Sequence, residues 1–340
     1  MEKTKIKIKR TYYEASAPVI VSAGRAADLP AFFGEWFIKR VRAGYCGKIN
    51  TYSGKKEYIS FVNTRLFVFW TKNPEPFISH LEELDKTGIN YYFLYTLNDY
   101  EKEGFEPGIP ALEKRIKTFI KLSKMTDKKR VCWRFDPILL APGLTVEKLA
   151  GRIETIAKQI SPYTEKLIFS FVDIEKYSKV KNNTEIDKSG IRELTAKEKS
   201  QMLKLLVKIG DKYNLMLSPC AVESELLIPG IKQGACIDPV LMADVFYEDS
   251  DLMAYIGASG VLFPAELNYS HLKDKNQRKE CLCAQSKDIT AYETCGHGCV
   301  YCYAVKSHKQ SAENMLVIRN RAEDDTLDYS TAVSKKVSKT

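Results

Sequence analysis

Short apolar runs alternate with longer amphipathic segments along most of this chain, and this alternation restricts the folds that it can adopt. Runs such as LFVFWT (66–71) and KLIFSF (166–171) are almost continuously apolar, which is typical of strands buried on both faces of a sheet. Segments between such runs, for example TVEKLAGRIETIAKQI (145–160), carry apolar residues at helical spacing. One helix start is marked by Thr195 and Glu198, which have the spacing of a capping box. The pattern predicts the α/β class with a parallel sheet.

The repetition of strand and helix predicts a (β/α) barrel, full or partial, and an open doubly wound sheet is the alternative. We expect a basic N-terminal arm at 1–16, a single (β/α) barrel domain at 17–305 and a polar tail at 306–340. The barrel domain includes a C-terminal cysteine cluster loop at 281–302.

The charge of the chain is uneven. Its 340 residues have a formal net charge of +9, and the first ten hold five Lys or Arg and one Glu. A solvated leading strand explains this basic start better than a nucleic-acid contact does, because no nucleic-acid-binding motif accompanies it. No apolar run reaches the roughly 18 residues that span a bilayer, and no apolar segment follows the basic start. We therefore expect a cytoplasmic protein without a membrane partner.

Polar side chains recur where the predicted strands end, and the carboxyl ends of parallel strands form the functional edge of α/β folds. We expect Lys72 and Arg134 to bind a carboxylate or a phosphate. Asn98, at another strand end, is a candidate for cofactor binding. The acidic candidates for hydrogen bonds to ribose or substrate, or for proton transfer, are Asp136, Asp173 and Glu223. A purely structural ion pair between Arg134 and Asp136 is the alternative for those two residues.

Nine cysteines are an odd number for a disulfide framework, and five of them lie between 281 and 302. The others are scattered among apolar residues: Cys46, Cys132, Cys220 and Cys236. The stretch TCGHGCVYCYA (294–304) places Cys295, Cys299 and Cys302 at C-x3-C-x2-C spacing. Such clustering indicates a metal site in a reducing compartment. Three thiolates can hold three irons of a [4Fe–4S] cluster, which normally takes four cysteines, so one iron is left for an exogenous ligand.

The segment CGHGCVYC (295–302) resembles the cluster loop of the radical S-adenosylmethionine enzymes, whose open iron takes the amino and carboxylate groups of S-adenosylmethionine. The resemblance includes the aromatic residue before the last cysteine, Tyr301, near which the backbone of those enzymes recognises adenine. Gly298 allows the loop to wrap closely around a cluster. The resemblance therefore implies two cofactors, a [4Fe–4S] cluster and S-adenosylmethionine.

Cys281 and Cys283 lie just upstream of this loop. Together with the loop they could form a structural zinc site, although such sites usually pair two short cysteine knuckles. They could also support an auxiliary cluster, act as redox thiols or pack in the core.

Further segments resemble a bacterial and archaeal family known as a domain of unknown function, over nearly the whole chain from about 17 to 304. That family carries a C-terminal cysteine cluster similar to the N-terminal cluster of radical S-adenosylmethionine proteins. The matching segments are LPAFFGEWF, VFWTKNPEPF, YTLNDY, WRFDPILL, SFVDIEKY, GACID, KDKNQR and TCGHGCVYCYA. Where members usually have Ser-Arg-Arg-Thr-Asp after the first strand, this chain has the residues Gly24 to Asp28, and it continues beyond the cysteine motif to residue 340.

The cluster loop of radical S-adenosylmethionine enzymes follows the first barrel strand, whereas here it lies near the C-terminus. KDITAY (287–292) precedes the cysteines and is predicted to be the equivalent strand. A circular permutation accounts for this order, because chain termini usually lie near each other on the surface of a domain. The hypothesis predicts that 287–292 pairs in parallel beside 17–23. It also places the cysteines at the same edge as Lys72, Asn98, Arg134 and Asp173.

We therefore expect a radical S-adenosylmethionine enzyme, in which a reduced cluster cleaves S-adenosylmethionine to a 5′-deoxyadenosyl radical that abstracts hydrogen from a substrate. No motif indicates whether the substrate is a small molecule or a macromolecule. An electron donor such as flavodoxin or ferredoxin is the expected partner. The alternative is a non-enzymatic iron–sulfur or zinc protein that transfers electrons or binds a partner, with Cys281 or Cys283 as the fourth ligand.

Overall fold

The computed structural model describes residues 1–50, 53–327 and 329. Its strands are β1 (Glu2–Ile8), β2 (Thr11–Ala17), β3 (Ile20–Ala23), β4 (Tyr45–Ile49), β5 (Lys56–Ser60), β6 (Leu66–Thr71), β7 (Asn90–Thr96), β8 (Val131–Ile138), β9 (Lys166–Phe171), β10 (Met216–Pro219) and β11 (Lys287–Asp288). Its helices are α1 (Leu29–Phe32), α2 (Gly34–Ala43), α3 (Leu81–Asp85), α4 (Leu112–Thr126), α5 (Val146–Ile160), α6 (Ser178–Asp187), α7 (Ala196–Tyr213), α8 (Pro239–Val245), α9 (Ser250–Ile256) and α10 (His308–Arg319).

A seven-stranded sheet has the order β10-β9-β8-β7-β6-β3-β11, and a four-stranded sheet has the order β1-β2-β5-β4. The registers from β7 to β10 and from β11 to β6 are parallel. The predicted α/β class with a parallel sheet is confirmed. The described strands do not close into a full barrel, because β10 and β11 stand at the two ends of the sheet. In chain order the sheet runs from β3 to β10, and β11 then returns to the other side of β3, as at the switch point of a doubly wound sheet.

The chain divides into two compact units. Unit 1 comprises Met1–Tyr91, Ser286–Gly298 and Ala304–Thr340, and unit 2 comprises Tyr92–Gln285 and Cys299–Tyr303. The cysteine loop therefore contributes residues to both units.

In unit 1, the first seventeen residues pair as the antiparallel hairpin of β1 and β2. The strand β11 pairs in parallel with β3, and Lys287 lies opposite Val21. The predicted parallel pairing beside the first strand is therefore confirmed, although only Lys287 and Asp288 form it. Aromatic packing supports the sheet: the Phe37 ring of α2 meets the Phe67 ring of β6 edge-on at 5.0 Å.

In unit 2, the buried strands β7, β8 and β9 are backed by α4, α5 and α7, and α5 packs against both other helices. The Tyr95 ring of β7 stacks on the Phe119 ring of α4 at 5.2 Å. Trp133 of β8 is fully buried, and its indole nitrogen donates to the Leu97 carbonyl at 3.0 Å. This packing fixes the carboxyl ends of the strands, where the polar candidates lie.

The predicted capping box at the start of α7 is confirmed, and it allows a test of helix stability. Thr195 Oγ1 accepts from Glu198 N, while the Glu198 carboxylate accepts from Thr195 N at 2.9 Å. We expect Thr195→Ala to lower the free energy of unfolding by about 1 kcal/mol. Urea denaturation measures this, with Thr155→Ala on the exposed face of α5 as a control that leaves stability nearly unchanged. An equal loss in both variants would contradict a specific role for the cap.

The same cap has a defined pH dependence. Hydrogen bonds from Arg192 and from the Thr195 backbone lower the pKa of Glu198 to about 2. A carboxylate with a lowered pKa stabilises the fold above its ordinary value of roughly 4.3, and the contribution is lost as the pH falls toward about 2. The difference between wild type and a Glu198→Gln variant is therefore expected to shrink over that acidic range.

No helix among the described residues is both long and apolar enough to cross a membrane.

Candidate functional site

Asn98, two residues after β7, links several strand ends of unit 2. Its side chain is fully buried. Asn98 Nδ2 donates to Glu106 Oε1 and to the Asp136 carbonyl, each at 3.0 Å, and to Tyr301 Oη at 3.2 Å. Its Oδ1 accepts from Asp136 N at 2.9 Å. One amide group therefore connects the ends of β7 and β8 with the cysteine-loop residue Tyr301.

Glu106 provides a buried negative charge in this network. Its carboxylate accepts a hydrogen bond from the Tyr301 hydroxyl, and Oε2 lies 3.9 Å from Nη1 of the buried Arg115. The same Arg115 nitrogen donates to the Asn98 carbonyl at 2.9 Å. Burial and the Glu106 carboxylate raise the pKa of Tyr301 well above its ordinary value, so the phenol remains a neutral donor. The Tyr301 side chain is thus an internal anchor of the loop.

Arg134 and Asp136 form the predicted ion pair on β8. Burial acts to lower the pKa of Arg134, but Asp136 and then the thiols of Cys236 and Cys220 outweigh it, so the pKa of Arg134 is raised. Asp136 Oδ1 also accepts from Ser170 Oγ at the end of β9. Arg134 is 8% exposed, and its Nε has no hydrogen-bond acceptor among the described residues. A charged donor is therefore available beside this ion pair.

The other predicted catalytic residues do not all join this group. Asp173, after β9, lies 3.6 Å from the Lys176 ammonium and 3.8 Å from the Arg278 guanidinium. Glu223 is exposed to solvent. Lys72 belongs to unit 1, where its backbone nitrogen donates to Asp28 Oδ2 at 2.7 Å. The contacts of unit 2 bring together Asn98, Arg134 and Asp136.

The first half of the cysteine loop is held within unit 1. Ser311 Oγ of α10 donates to the Cys295 carbonyl at 2.8 Å. The His297 ring is buried, with Nε2 located 2.7 Å from Asp28 Oδ2. Gly298 has a φ of +68°, in the left-handed region that residues with a side chain rarely adopt. Backbone and imidazole contacts therefore position this part of the loop.

The second half of the loop is held within unit 2. Val300 N donates to the Phe105 carbonyl at 3.0 Å, and Asn183 Nδ2 donates to the Cys302 carbonyl at 3.1 Å. Cys302 N donates to the Cys299 carbonyl at 3.0 Å, which closes a tight turn between the two cysteines. Cys299 is buried and Cys302 is partly exposed. None of the nine cysteines of the chain is in a disulfide.

A second set of thiols lies in unit 2, and we call it the four-thiol group: Cys220, Cys236, Cys281 and Cys283. The sulfur atoms of Cys220 and Cys236 are 3.4 Å apart. Cys283 Sγ accepts from Cys236 N at 3.2 Å, and hydrogen bonding with the Cys236 and Cys281 side chains raises the pKa of the Cys283 thiol well above its ordinary value. The sequence indicated a shared role only for Cys281 and Cys283. The fold brings Cys220 and Cys236, which are isolated in the sequence, next to this pair.

Within the described ranges, no group of three or more His, Cys, Asp or Glu side chains is arranged to hold a metal ion. The metal site of Cys295, Cys299 and Cys302 therefore stays a prediction from their spacing. The donor set suits such a site, because thiolates are the ligands that iron–sulfur clusters and zinc prefer.

Two residues with structural roles here were missed from the sequence. Glu106 lies in an irregular loop and meets Tyr301, which is 195 positions away, so no local pattern reveals it. Asp28 was recognised only as the last residue of a segment that departs from the family pattern. It caps α1 through Ala31 N at 3.0 Å and also binds His297. Asp28, like Arg25, agrees with the family's Ser-Arg-Arg-Thr-Asp run, and this agreement was the only indication of its role in the sequence.

The chain was compared with known families and structures. A family described as "Domain of unknown function (DUF1848)" matches residues 20–304. None of the curated proteins matches the chain. A solved structure from Bacteroides thetaiotaomicron VPI-5482, described as a "putative alpha-L-fucosidase", is similar at 9% identity over 77% of this chain and 82% of that chain, with a TM-score of 0.24. That similarity is too low to support an inference about fold or function.

Proposed function

The chain belongs to the DUF1848 family, and we propose that it is a radical S-adenosylmethionine enzyme that uses the cysteine loop within the matched region. The observation that carries the proposal is the pairing of β11 with β3. The C-x3-C-x2-C loop thus follows a strand of a parallel sheet, as the cluster loop does in the enzymes that it resembles.

The strand order supports a partial, circularly permuted (β/α) barrel. From β11 the sheet continues through β3, β6, β7, β8, β9 and β10. If β11 is counted first, every strand lies beside the next one in sequence. Consecutive order is the arrangement of a (β/α) barrel, and the return from β10 to β11, which gives the actual chain the switch point of a doubly wound sheet, is then a result of the permutation. A single circular permutation would then explain both the strand order of the sheet and the position of the cysteine loop near the C-terminus.

In this proposal Cys295, Cys299 and Cys302 hold a [4Fe–4S] cluster, and S-adenosylmethionine is the cosubstrate. When reduced, such a cluster supplies the electron that cleaves S-adenosylmethionine to methionine and a 5′-deoxyadenosyl radical, which abstracts hydrogen from the substrate. The protein supplies position and charge. Gly298 permits the sharp turn in the loop, and Tyr301 fixes its second half through Glu106 and Asn98.

Arg134 is the residue of unit 2 best placed to bind an anionic group. Its guanidinium is charged, is oriented by Asp136 and retains an Nε–H without an acceptor among the described residues. A carboxylate or phosphate oxygen of a substrate would satisfy that donor. Asp136, fixed by Ser170 and Asn98, serves to orient Arg134 in this proposal. Lys72, Asp173 and Glu223 are proposed to contact the substrate because each of them follows the carboxyl end of a strand.

The test is anaerobic reconstitution with iron and sulfide, followed by reduction in the presence of S-adenosylmethionine. We expect a brown chromophore and the formation of 5′-deoxyadenosine, measured by chromatography. Cys299→Ala is expected to reduce 5′-deoxyadenosine to the level of a protein-free reaction, because the cluster loses one of three ligands. Cys46→Ala, which removes a buried thiol from β4, is the matched control and is expected to retain the activity.

Two outcomes contradict the proposal in different ways. One equivalent of zinc with no chromophore would reject the iron–sulfur site. A reducible cluster that leaves S-adenosylmethionine intact would favour a non-enzymatic iron–sulfur protein, for which flavodoxin or ferredoxin would be an exchange partner. The structural observation that favours this second function is the four-thiol group, because four thiolates can enclose a metal without an open position.

A further inference from the structure

The four-thiol group brings together cysteines from three separate stretches of unit 2. Cys220 follows β10, Cys236 precedes α8, and Cys281 and Cys283 follow the 3-10 turn at Ser270–Leu272. We propose that this group binds a metal as a four-thiolate centre, separate from the cysteine loop and occupied by a zinc ion or an iron–sulfur cluster. This inference does not depend on the proposed radical chemistry.

The thiols are already neighbours. Contacts run from Cys220 to Cys236, from Cys236 to Cys283 and from Cys283 to Cys281. Two thiolates on one tetrahedral zinc, with Zn–S bonds of about 2.3 Å, lie roughly 3.8 Å apart. The 3.4 Å between the Cys220 and Cys236 sulfur atoms is close to that separation. The four sulfur atoms follow one another in a chain of contacts, so metal binding requires rotation of the side chains toward a common centre.

Two backbone amides point toward the sulfur atom of Cys283. Its Sγ accepts from Cys236 N at 3.2 Å and from Ile237 N at 3.5 Å. A neutral thiol is a weak acceptor, whereas hydrogen bonds to a metal-bound thiolate stabilise it and tune the metal. Two amide donors directed at one buried sulfur are therefore the environment expected of a ligand.

The charges around the group complement a tetrathiolate. Four thiolates and one zinc ion carry a net negative charge, and such a charge is costly to bury without compensation. The guanidinium of Arg134 interacts electrostatically with Cys236 and Cys220, and that of Arg278 interacts with Cys220. Arg134 is more than nine-tenths buried and also pairs with Asp136. The two guanidinium groups near the thiols offset part of the negative charge of a four-thiolate centre.

The loops that carry the cysteines are tied to one another. Gln233 Nε2 donates to the Glu280 carbonyl at 2.7 Å, and Ala284 N donates to the Ile237 carbonyl at 3.0 Å. A Cβ on Gly234 would lie 1.7 Å from Ser218 Oγ, so only glycine lets the Cys236 loop approach β10 this closely. These contacts hold Cys236 beside Cys220 and Cys283 independently of the thiols.

The experiment uses the full chain with the loop cysteines removed by Cys295→Ala, Cys299→Ala and Cys302→Ala. We expect this triple variant to retain about one equivalent of zinc, or one iron–sulfur cluster after reconstitution with iron and sulfide, by elemental analysis. Zinc without a chromophore identifies a zinc centre, and iron with equal sulfide and a brown chromophore identifies a cluster. Both results support the four-thiolate centre. Zn²⁺ should also raise the melting temperature of the metal-free triple variant, and Mg²⁺ should not.

Matched variants locate the metal within the triple variant. Adding Cys236→Ser or Gly234→Val is expected to abolish the metal, whereas adding Cys46→Ser should leave it bound. A triple variant that binds neither zinc nor iron would overturn the inference. This outcome can be read without the variants that add Cys236→Ser or Gly234→Val, so it holds even if those variants do not fold. A disulfide between Cys220 and Cys236 in the anaerobically purified protein would also overturn it. Formation of 5′-deoxyadenosine by the triple variant would reject the proposed role of the cysteine loop, whereas metal retained in this variant would leave the four-thiolate centre intact.

Discussion

Replacing Asn98 by alanine is expected to lower the free energy of unfolding by about 3 kcal/mol, because each buried polar group that loses its partner costs about 1–3 kcal/mol. The fully buried amide is the donor to Glu106 Oε1 and the acceptor from Asp136 N. Its removal takes away the acceptor of the Asp136 N–H and a donor to the Asp136 carbonyl in a region of low dielectric, while Glu106 Oε1 loses one of its two donors and keeps the Tyr301 hydroxyl. Urea denaturation followed by far-UV circular dichroism gives the value.

Two further variants show whether the network or the residue type matters. Asn63→Ala removes a solvent-exposed amide that donates to Glu2 Oε2 at 2.6 Å, and it should cost less than about 0.5 kcal/mol. Tyr301→Phe removes one donor to Glu106 and should cost about 1 kcal/mol. The double variant Asn98→Ala with Tyr301→Phe should lose less than the sum of both, because the two groups share Glu106. Strict additivity would argue against a connected network.

The sequence predicts the parallel sheet because continuous apolar runs, which are local patterns, identify buried strands such as β6 and β9. The pairing of β11 with β3 joins distant parts of the chain, and it is predicted from the resemblance of the cysteine loop and the circular permutation that this resemblance implies. The capping box at α7 is also a local pattern, since Thr195 and Glu198 are three residues apart. Closure of the sheet is not local. It depends on how many strands pair and how they tilt, and the described strands leave the sheet open.

The candidate site is less predictable for the same reason. The polar strand ends Asn98, Arg134 and Asp136 are visible as polar residues after apolar runs, and the fold joins them. The group Cys220, Cys236, Cys281 and Cys283 is different, because an apolar neighbourhood in sequence gives no information on which buried thiols face each other. Only the three-dimensional fold shows that two cysteines of apolar segments meet the C-x-C pair.

Replacing Lys166 by methionine is expected to destabilise the protein by about 3–5 kcal/mol, because it leaves a largely buried carboxylate without its cation. Lys166 and Asp238 form an ion pair in unit 2, with side chains only 11% and 13% exposed. Burial acts to lower the pKa of Lys166, but the Asp238 carboxylate outweighs it and the pKa of Lys166 is raised. A raised lysine pKa stabilises the fold at every pH below its ordinary value near about 10.4, and the contribution is lost only as the pH rises through the raised value. At neutral pH the full contribution is therefore present.

The double variant Lys166→Met with Asp238→Asn separates the charge from the packing. Asparagine can still cap α8, where Asp238 accepts from Val240 N at 2.9 Å, and it leaves no buried charge. We expect the double variant to recover most of the stability lost in Lys166→Met, as is found when buried ion pairs are replaced by neutral groups of similar size. A double variant no more stable than Lys166→Met would show that the lysine acts through its alkyl packing, since removing the partner charge would then restore nothing.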